Sequence, residues 1–191
     1  MSLFKKAKNL LVLSSPSGGG KTTLAKHLMQ VFPQLKFSVS CTTRAKRPDE
    51  IEEMHYYFIS EEEFKEKIAN NEFAEYEEIF GNFYGTLKNE IQRHIDDGNS
   101  VLFDVDVKGA ISLKNAYPDS SYLVFITPPN IEILNERLKN RGTETEEQRL
   151  KRLARAETEL NFKEQFDYVL INDDLETAIN EIEKVAKKVI E

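Results

Sequence analysis

Five short apolar runs, each bounded by turn-forming residues, set the rhythm of this chain: Leu10–Leu13, Phe37–Val39, Val101–Val105, Tyr122–Ile126 and Tyr168–Ile171. They are rich in Val, Ile, Leu and Phe and hold few polar positions, the pattern of strands covered on both faces. Between them, apolar residues recur at helical spacing, which predicts helices over Thr22–Val31, Glu61–Asn70, Leu87–Asp97, Ile131–Lys139, Glu146–Asn161 and Leu175–Ile190. Start signals support three of these: Ser60 followed by Glu63, Thr143 by Glu146 and Asp173 by Glu176 each have capping-box spacing. Pro33, Pro118 and the pair Pro128-Pro129 punctuate element ends. Strand alternating with helix predicts an α/β fold, with a mostly parallel central sheet between two helical layers.

The stretch from Ser40 to Thr86 breaks the rhythm, being dense in charge, aromatics and turn residues. Met54–Ile59 and Ala74–Phe80 read as short antiparallel strands around the helix Glu61–Asn70. The segment is therefore expected to form a small α+β insertion beside the main sheet. A second irregular piece, Asn140–Glu147, is charged, contains Gly142 and suits a mobile lid between two helices.

Composition narrows the classes. With 191 residues, 40% of them hydrophobic, the chain can bury the core of one α/β domain. A net charge of −7 argues against a sequence-independent nucleic-acid binder, but not against holding a nucleotide with a few local Lys and Arg. Cys41 is the single cysteine, so no intrachain disulfide can form. No apolar stretch approaches the roughly 18 residues of a membrane helix, and Met1–Lys6 is not followed by the apolar core of a secretory signal. The expectation is a reduced, cytoplasmic, soluble protein with neither membrane nor nucleic-acid partners. Its helical faces leave monomer and homo-oligomer equally open. His27, His55 and His94 show no metal-ligand spacing with Cys41, and all four read as structural.

The first apolar run leads directly into Ser15-Pro-Ser-Gly-Gly-Gly-Lys21-Thr22-Thr23, a glycine-rich turn between a strand and a helix start. That is the setting of a Walker A phosphate loop. Backbone N–H groups can crowd around phosphate oxygens there, helped by the helix N-terminus. Ser17, Gly18, Gly19, Gly20, Lys21, Thr22 and Thr23 form the expected ATP-binding set. Lys21 would reach the β- and γ-phosphates, and the Thr22 hydroxyl would face Mg²⁺. The pattern's first glycine is replaced by Ser15, which fits if the backbone there needs no positive φ.

Other constellations are less specific from residues alone. Arg44 and Arg47, preceded by hydroxyls, can grip a phosphate from two sides, yet a solvated basic loop has the same look. Asp104 ends an apolar strand as a Walker B aspartate would, holding Mg²⁺ partly through water. It would share one side of that strand with Asp106 if the strand stays extended. Asp106 fits a metal, a substrate or a structural role equally. Glu75 reads as one more carboxylate of an acidic stretch, and Tyr56, Tyr57 and Tyr84 as ordinary strand aromatics. Arg137, Arg141, Arg149 and Arg152 crowd the lid. Salt bridging with Glu144, Glu146, Glu147 or Glu157 accounts for Arg149 and Arg155.

Taken in order, these motifs resemble those of guanylate kinases, P-loop enzymes that phosphorylate GMP from ATP. Ser38-Val-Ser40-Cys-Thr-Thr-Arg44-Ala-Lys-Arg47 carries the Ser-Val-Ser-x-Thr-Thr-Arg-x-x-Arg pattern. Tyr56-Tyr-Phe58, Asn71–Glu75, Gly81–Thr86, Asp104–Gly109, Arg141–Glu147 and Asn172–Leu175 match further stretches, so the resemblance spans nearly the whole chain. It implies a P-loop NTPase fold in a single domain, 1–191, made of a core (1–39, 87–139 and 158–191), a GMP-binding insertion (40–86) and a helical lid (140–157). It implies GMP binding by Ser40, Arg44, Arg47, Tyr56, Glu75, Tyr84, Thr86 and Asp106, with the purine edge read by Glu75 and Thr86. Arg137 and Asn172 join the ATP side, Thr22 and Asp104 the Mg²⁺ site, and Lys21, Arg44, Arg141 and Arg152 the catalytic cations. Asp49 departs from the glycine common after Pro48 in the family. The other readings are a kinase for another nucleoside monophosphate, and a guanylate-kinase-like scaffold that holds phosphopeptides. The intact Gly20-Lys21-Thr22 argues against the scaffold, and no Asn-Lys-x-Asp motif supports a GTPase switch.

Overall fold

The computed structural model describes residues 9–16, 18–140 and 145–190. Five parallel strands make the central sheet: β1 (Leu10–Ser14), β2 (Leu35–Phe37), β7 (Ser100–Asp104), β8 (Ser121–Thr127) and β9 (Tyr168–Ile171), in the order β2-β7-β1-β8-β9. The apolar run of β1 is continuous because both its faces are covered. Leu11 and Leu13 point into one core with α1 (Lys21–Val31) and α7 (Leu175–Ile190), through Leu24, Leu28, Ala178 and Ile182. Leu10 and Val12 point into the other, with Ile91 of α3 (Lys88–Asp96) and Ala110 and Leu113 of α4 (Val107–Ala116). All four β1 leucines and valines are fully buried, so the alternation of strand side chains feeds two cores at once.

A second sheet holds β3 (Ser40–Thr42), β4 (Tyr56–Phe58), β5 (Phe73–Ile79) and β6 (Asn82–Leu87) in the order β4-β3-β6-β5. Helix α2 (Glu61–Ala69) packs Phe64 against Phe73 and Phe83 of this sheet, with ring centroids 4.3 and 5.3 Å apart. The fourth apolar cluster joins α5 (Ile131–Asn140) to α6 (Glu146–Leu160) through Leu134, Leu138, Leu153 and Ala156.

Several expectations change. β4 does not run antiparallel to β5 around α2; it pairs parallel with β3 on the far side of the sheet from β5. Strands β3 and β6 add to the two strands expected in this segment; they show no apolar pattern because their buried positions include hydroxyl-bearing Thr42 and Thr86 and the small Gly85. The strand expected at Phe37–Val39 is centred earlier, at Leu35–Phe37. Helix α4 was hidden by Gly109, a poor helix former in its first turn. Thr143 lies outside the described residues, and α6 is capped by Thr145, whose side chain and Gln148 bond reciprocally. Likewise Asp174, not Asp173, accepts from Thr177 N–H at the start of α7.

Candidate active site

The carboxyl ends of β1 and β7 lie side by side, with Leu13 opposite Asp104 in the register. Directly beyond β1 the chain turns through the glycines into α1. Gly20 caps α1 with φ +94°. A side chain there would be strained by that φ and would also collide with Asn172, whose Nδ2 donates to the Gly19 carbonyl at 2.8 Å. Asn172 thus holds the loop from the end of β9. Ser15 is absent from the positive-φ residues, so its replacement of glycine costs the backbone nothing. Lys21 Nζ donates to the Val105 carbonyl at 2.8 Å and pairs with Asp104 Oδ1 at 2.5 Å. Thr22 Oγ1 donates to Asp104 Oδ2 at 3.3 Å. Lysine, hydroxyl and carboxylate therefore meet at one point beyond the carboxyl ends of β1 and β7. Arg137 Nη2 donates to the Asp173 carbonyl at 3.2 Å, tying α5 to the turn that follows β9. Ser17 and Arg141 lie outside the described residues.

Opposite the loop, across a cavity of about 380 Å³, stand Ser40, Tyr56, Glu75, Tyr84 and Asp106. Register explains one pairing: Glu75 on β5 faces Thr86 on β6. Thr86 Oγ1 donates to Glu75 Oε1 at 2.6 Å, and lies 3.2 Å from Ser40 Oγ. Glu75 is 7% exposed, unlike its neighbours Glu72 and Glu78, which remain exposed or half-buried. Burial pushes its carboxyl up to about 7, against the pull of the Thr86 hydroxyl, and the Asp106 charge adds to the rise. Helix α4 approaches this carboxylate so closely that a Cβ at Gly109 would lie 2.6 Å from Glu75 Oε2. The Tyr56 and Tyr84 rings meet edge to face, 6.0 Å apart. Burial, followed by the Asp104 charge, drives the Tyr56 phenol up to about 12, so it stays a hydrogen-bond donor.

Arg44 lies over the Tyr56 ring at 5.5 Å and is gripped by Glu50 through two hydrogen bonds of 3.0 and 2.6 Å. Hydrogen bonding to Glu50 raises the guanidinium's pKa, and the same contact lowers that of Glu50. Arg47 is exposed, and its backbone N–H donates to Glu50 Oε2 at 2.8 Å. The 47–50 turn closes through Glu50 N–H to the Arg47 carbonyl, with Asp49 outside the positive-φ residues, so a glycine is not needed there. Glu50 organises both arginines, a role that nothing in its sequence setting signalled.

Asp104 and Asp106 part company because β7 ends at Asp104 and Asp106 caps α4, accepting from Gly109 N–H at 2.7 Å. Its other oxygen accepts from Arg155 Nη2 at 2.9 Å. This corrects the surface role expected of Arg155, which lines the cavity between Asp106 and Glu159 (Nε to Oε1, 2.7 Å). Burial raises the Glu159 carboxyl. The Arg155–Glu159 spacing of one helical turn was the only signal available. Arg149 is absent from the cavity lining and bonds Asn135 and Glu146. Arg152 lines the cavity beside Arg155. His27, His55 and His94 bond Glu183, the Ile51 N–H and Glu90, away from the cavity lining.

Thr22 and Asp104 supply two oxygen donors within reach of each other, a set suited to Mg²⁺, which binds few protein ligands and fills its shell with phosphate and water. Among the described residues no three His, Cys, Asp or Glu gather as a metal cage. No helix among them is long and apolar enough to cross a membrane.

The family model for guanylate kinase matches residues 7–189. A curated guanylate kinase of Chlorobium luteolum is 47% identical over 173 residues, which are 91% of this chain and 88% of that one. One from Bacteroides fragilis is 45% identical over 180 residues, covering 94% and 88%. The crystal structure of guanylate kinase from Anaplasma phagocytophilum superposes with a TM-score of 0.77 at 35% identity, covering 95% of this chain and 85% of that one. Shikimate kinase from Bacteroides thetaiotaomicron matches with a TM-score of 0.55 at 15% identity, covering 93% and 98%, a likeness of fold alone.

Proposed function

Because the chain belongs to the guanylate kinase family, ATP:GMP phosphotransferases, we propose that its phosphate loop and its buried Glu75–Thr86 pair are the donor and acceptor halves of one site. The carrying observation is that the phosphate loop and Glu75 line the same cavity, with Thr86 bonded behind Glu75. Guanine offers N1–H and N2–H₂ on one edge, and the Glu75 carboxylate accepts from both. Adenine presents an acceptor at N1 and would leave a buried carboxylate facing a lone pair, a mismatch that rejects the wrong base strongly. Thr86 fixes the orientation of Glu75, and Asp106 borders the pair while capping α4.

Ser40, Tyr56, Tyr84, Arg44 and Arg47 hold the GMP phosphate, with Glu50 pre-setting Arg44 so that little side-chain freedom is lost on binding. Gly18, Gly19, Gly20, Thr22 and Thr23 surround the ATP phosphates, and Arg137 with Asn172 flanks the nucleotide at the end of β9. A phosphate oxygen of GMP attacks the γ-phosphorus in line. That bond forms as the bond to the β-bridging oxygen breaks, ADP leaves with the electron pair, and no covalent enzyme species arises. Lys21 and Arg152 supply fixed positive charge where the transferred group gathers negative charge. Thr22, and Asp104 partly through water, would hold Mg²⁺, which would supply neutralising charge to the ATP phosphates. Residues 40–86 act as the acceptor-binding insertion and the α6 side of 140–157 as the lid. A chain with one buried cysteine and this reaction belongs in the cytoplasm.

The test is ADP release with ATP and Mg²⁺ against GMP, dGMP, AMP, CMP and UMP. Turnover should be confined to the guanine nucleotides. Comparable turnover with AMP would remove Glu75 and Thr86 from base reading.

A further inference from the structure

The hairpin joining β5 to β6 turns at its tip through Phe80 and Gly81, since Ile79 pairs with Asn82. Both tip residues have positive φ, 51° and 79°. This two-residue turn favours Asn, Asp or Gly at its first position, and a bulky side chain there is an outlier. Phe80 is nevertheless present, 57% exposed, and belongs to none of the buried apolar clusters among the described residues. Neither local backbone preference nor core packing explains it. Its ring has another occupation. The guanidinium carbons of Arg152 and Arg155, one turn apart on α6, lie 5.8 and 5.7 Å from its centroid. Arg155 is in turn fixed to Asp106 and Glu159.

We propose that Phe80 is a positioning residue for phosphoryl transfer, its ring docking the lid-helix cations Arg152 and Arg155 across the mouth of the cavity. A backbone conformation that costs energy at a turn is retained where the surrounding contacts use it. Arginine side chains are long and rotamer-rich, and charge that is already in place costs no reorganisation when the phosphoryl group moves. The aromatic face removes that freedom from the hairpin side while Asp106 and Glu159 remove it from the core side. The hairpin belongs to the acceptor half and α6 to the lid, so the contact also links acceptor half and lid directly. This inference rests on the assignment of Arg152 to the phosphate-facing cations.

The full chain, assayed with ATP, GMP and Mg²⁺, tests it through three variants. Phe80→Tyr keeps the ring and should stay within about twofold of the parent kcat. Phe80→Asn suits the backbone but lacks the ring, and Phe80→Leu keeps apolar bulk without an aromatic face. Each exposed cation–π contact corresponds to a factor of about two to five, so both variants should lose about five- to tenfold in kcat. The affinity for GMP alone, measured by calorimetry, should change less than about twofold. Full kcat in Phe80→Asn or Phe80→Leu overturns the proposal, as does a loss of GMP affinity equal to the loss of kcat. Arg152→Ala in the same assay separates the two claims. Unchanged kcat there sinks the lid assignment itself, whereas a fall in kcat with unaffected Phe80 variants sinks the docking role alone.

Discussion

Glu75 shows what burial does to one carboxylate. Its folded pKa of about 7 lies above the ordinary glutamate value of 4.5. A raised pKa means the folded state holds the proton more tightly than the unfolded one. The stabilisation this gives is complete below pH 4.5 and is lost as pH rises through 7. The proposed guanine contact uses the ionised form, so binding should respond in the opposite sense. GMP affinity should fall as pH drops below 7, approaching about tenfold per unit for a single proton. In Glu75→Gln the dependence between pH 7 and 8 should vanish, leaving that of the GMP phosphate with its second pKa of about 6, and GMP affinity should drop at pH 8; calorimetry at several pH values reads both. A wild-type profile flat between pH 5.5 and 8 would show that GMP does not meet the Glu75 carboxylate. The phosphate-loop residues were legible because glycines, lysine and threonine carry a local pattern tied to a chemical need. From residue types alone Glu75 and Arg155 were not, and only the family resemblance singled out Glu75, because what distinguishes them is lining supplied from other elements by Thr86, Gly109 and Asp106.

Among the elements, β1 and its glycine turn were readable since both faces of the strand are covered and every position must be apolar. The strands of the acceptor sheet were harder. β3 spends its buried positions on Cys41 and Thr42, and β6 on Gly85 and Thr86, so neither shows apolar alternation. Their hydroxyls are instead satisfied across strands, as Thr42 Oγ1 is by the Phe83 carbonyl at 3.0 Å. Helix α6 carries its start in a Thr145–Gln148 capping box rather than in the upstream threonine. Thr145→Ala should cost about 1 kcal/mol of helix-end stability. Faster amide exchange at Gln148 and Arg149 than in the parent would show it, and unchanged protection would mean that packing of Leu153 and Ala156 on α5 alone sets the helix start.

At the level of the whole molecule, the residues proposed for donor and acceptor sit with different sheets, and α6 reaches towards both. Arg155 bonds Asp106 at the head of α4 and also meets the β5–β6 hairpin through Phe80. Phosphoryl transfer must exclude water, or ATP would be hydrolysed, so the two sheets and α6 should draw together when both nucleotides are present. Small-angle scattering should show a smaller radius of gyration with GMP and a non-hydrolysable ATP analogue than with either alone. Equal radii in all states would mean that the cavity is already closed. The parallel order of the central sheet was foreseeable from strand–helix alternation, whereas the pairing of β4 with β3 was not, because a three-residue strand carries too little pattern to choose a neighbour.

The Asn172 amide on the Gly19 carbonyl joins residues 153 positions apart. Helix α7 likewise covers α1 through Ala178, Ile182 and Leu28. During synthesis the phosphate loop therefore leaves the ribosome long before its fastening and the far wall of its helix. A nascent chain that has reached residue 160 therefore already displays Gly18 to Thr23 without the contacts that shape them. A chain stopped before Asn172 should carry the motif without the contact that fastens it and should hold nucleotide less well than the full chain.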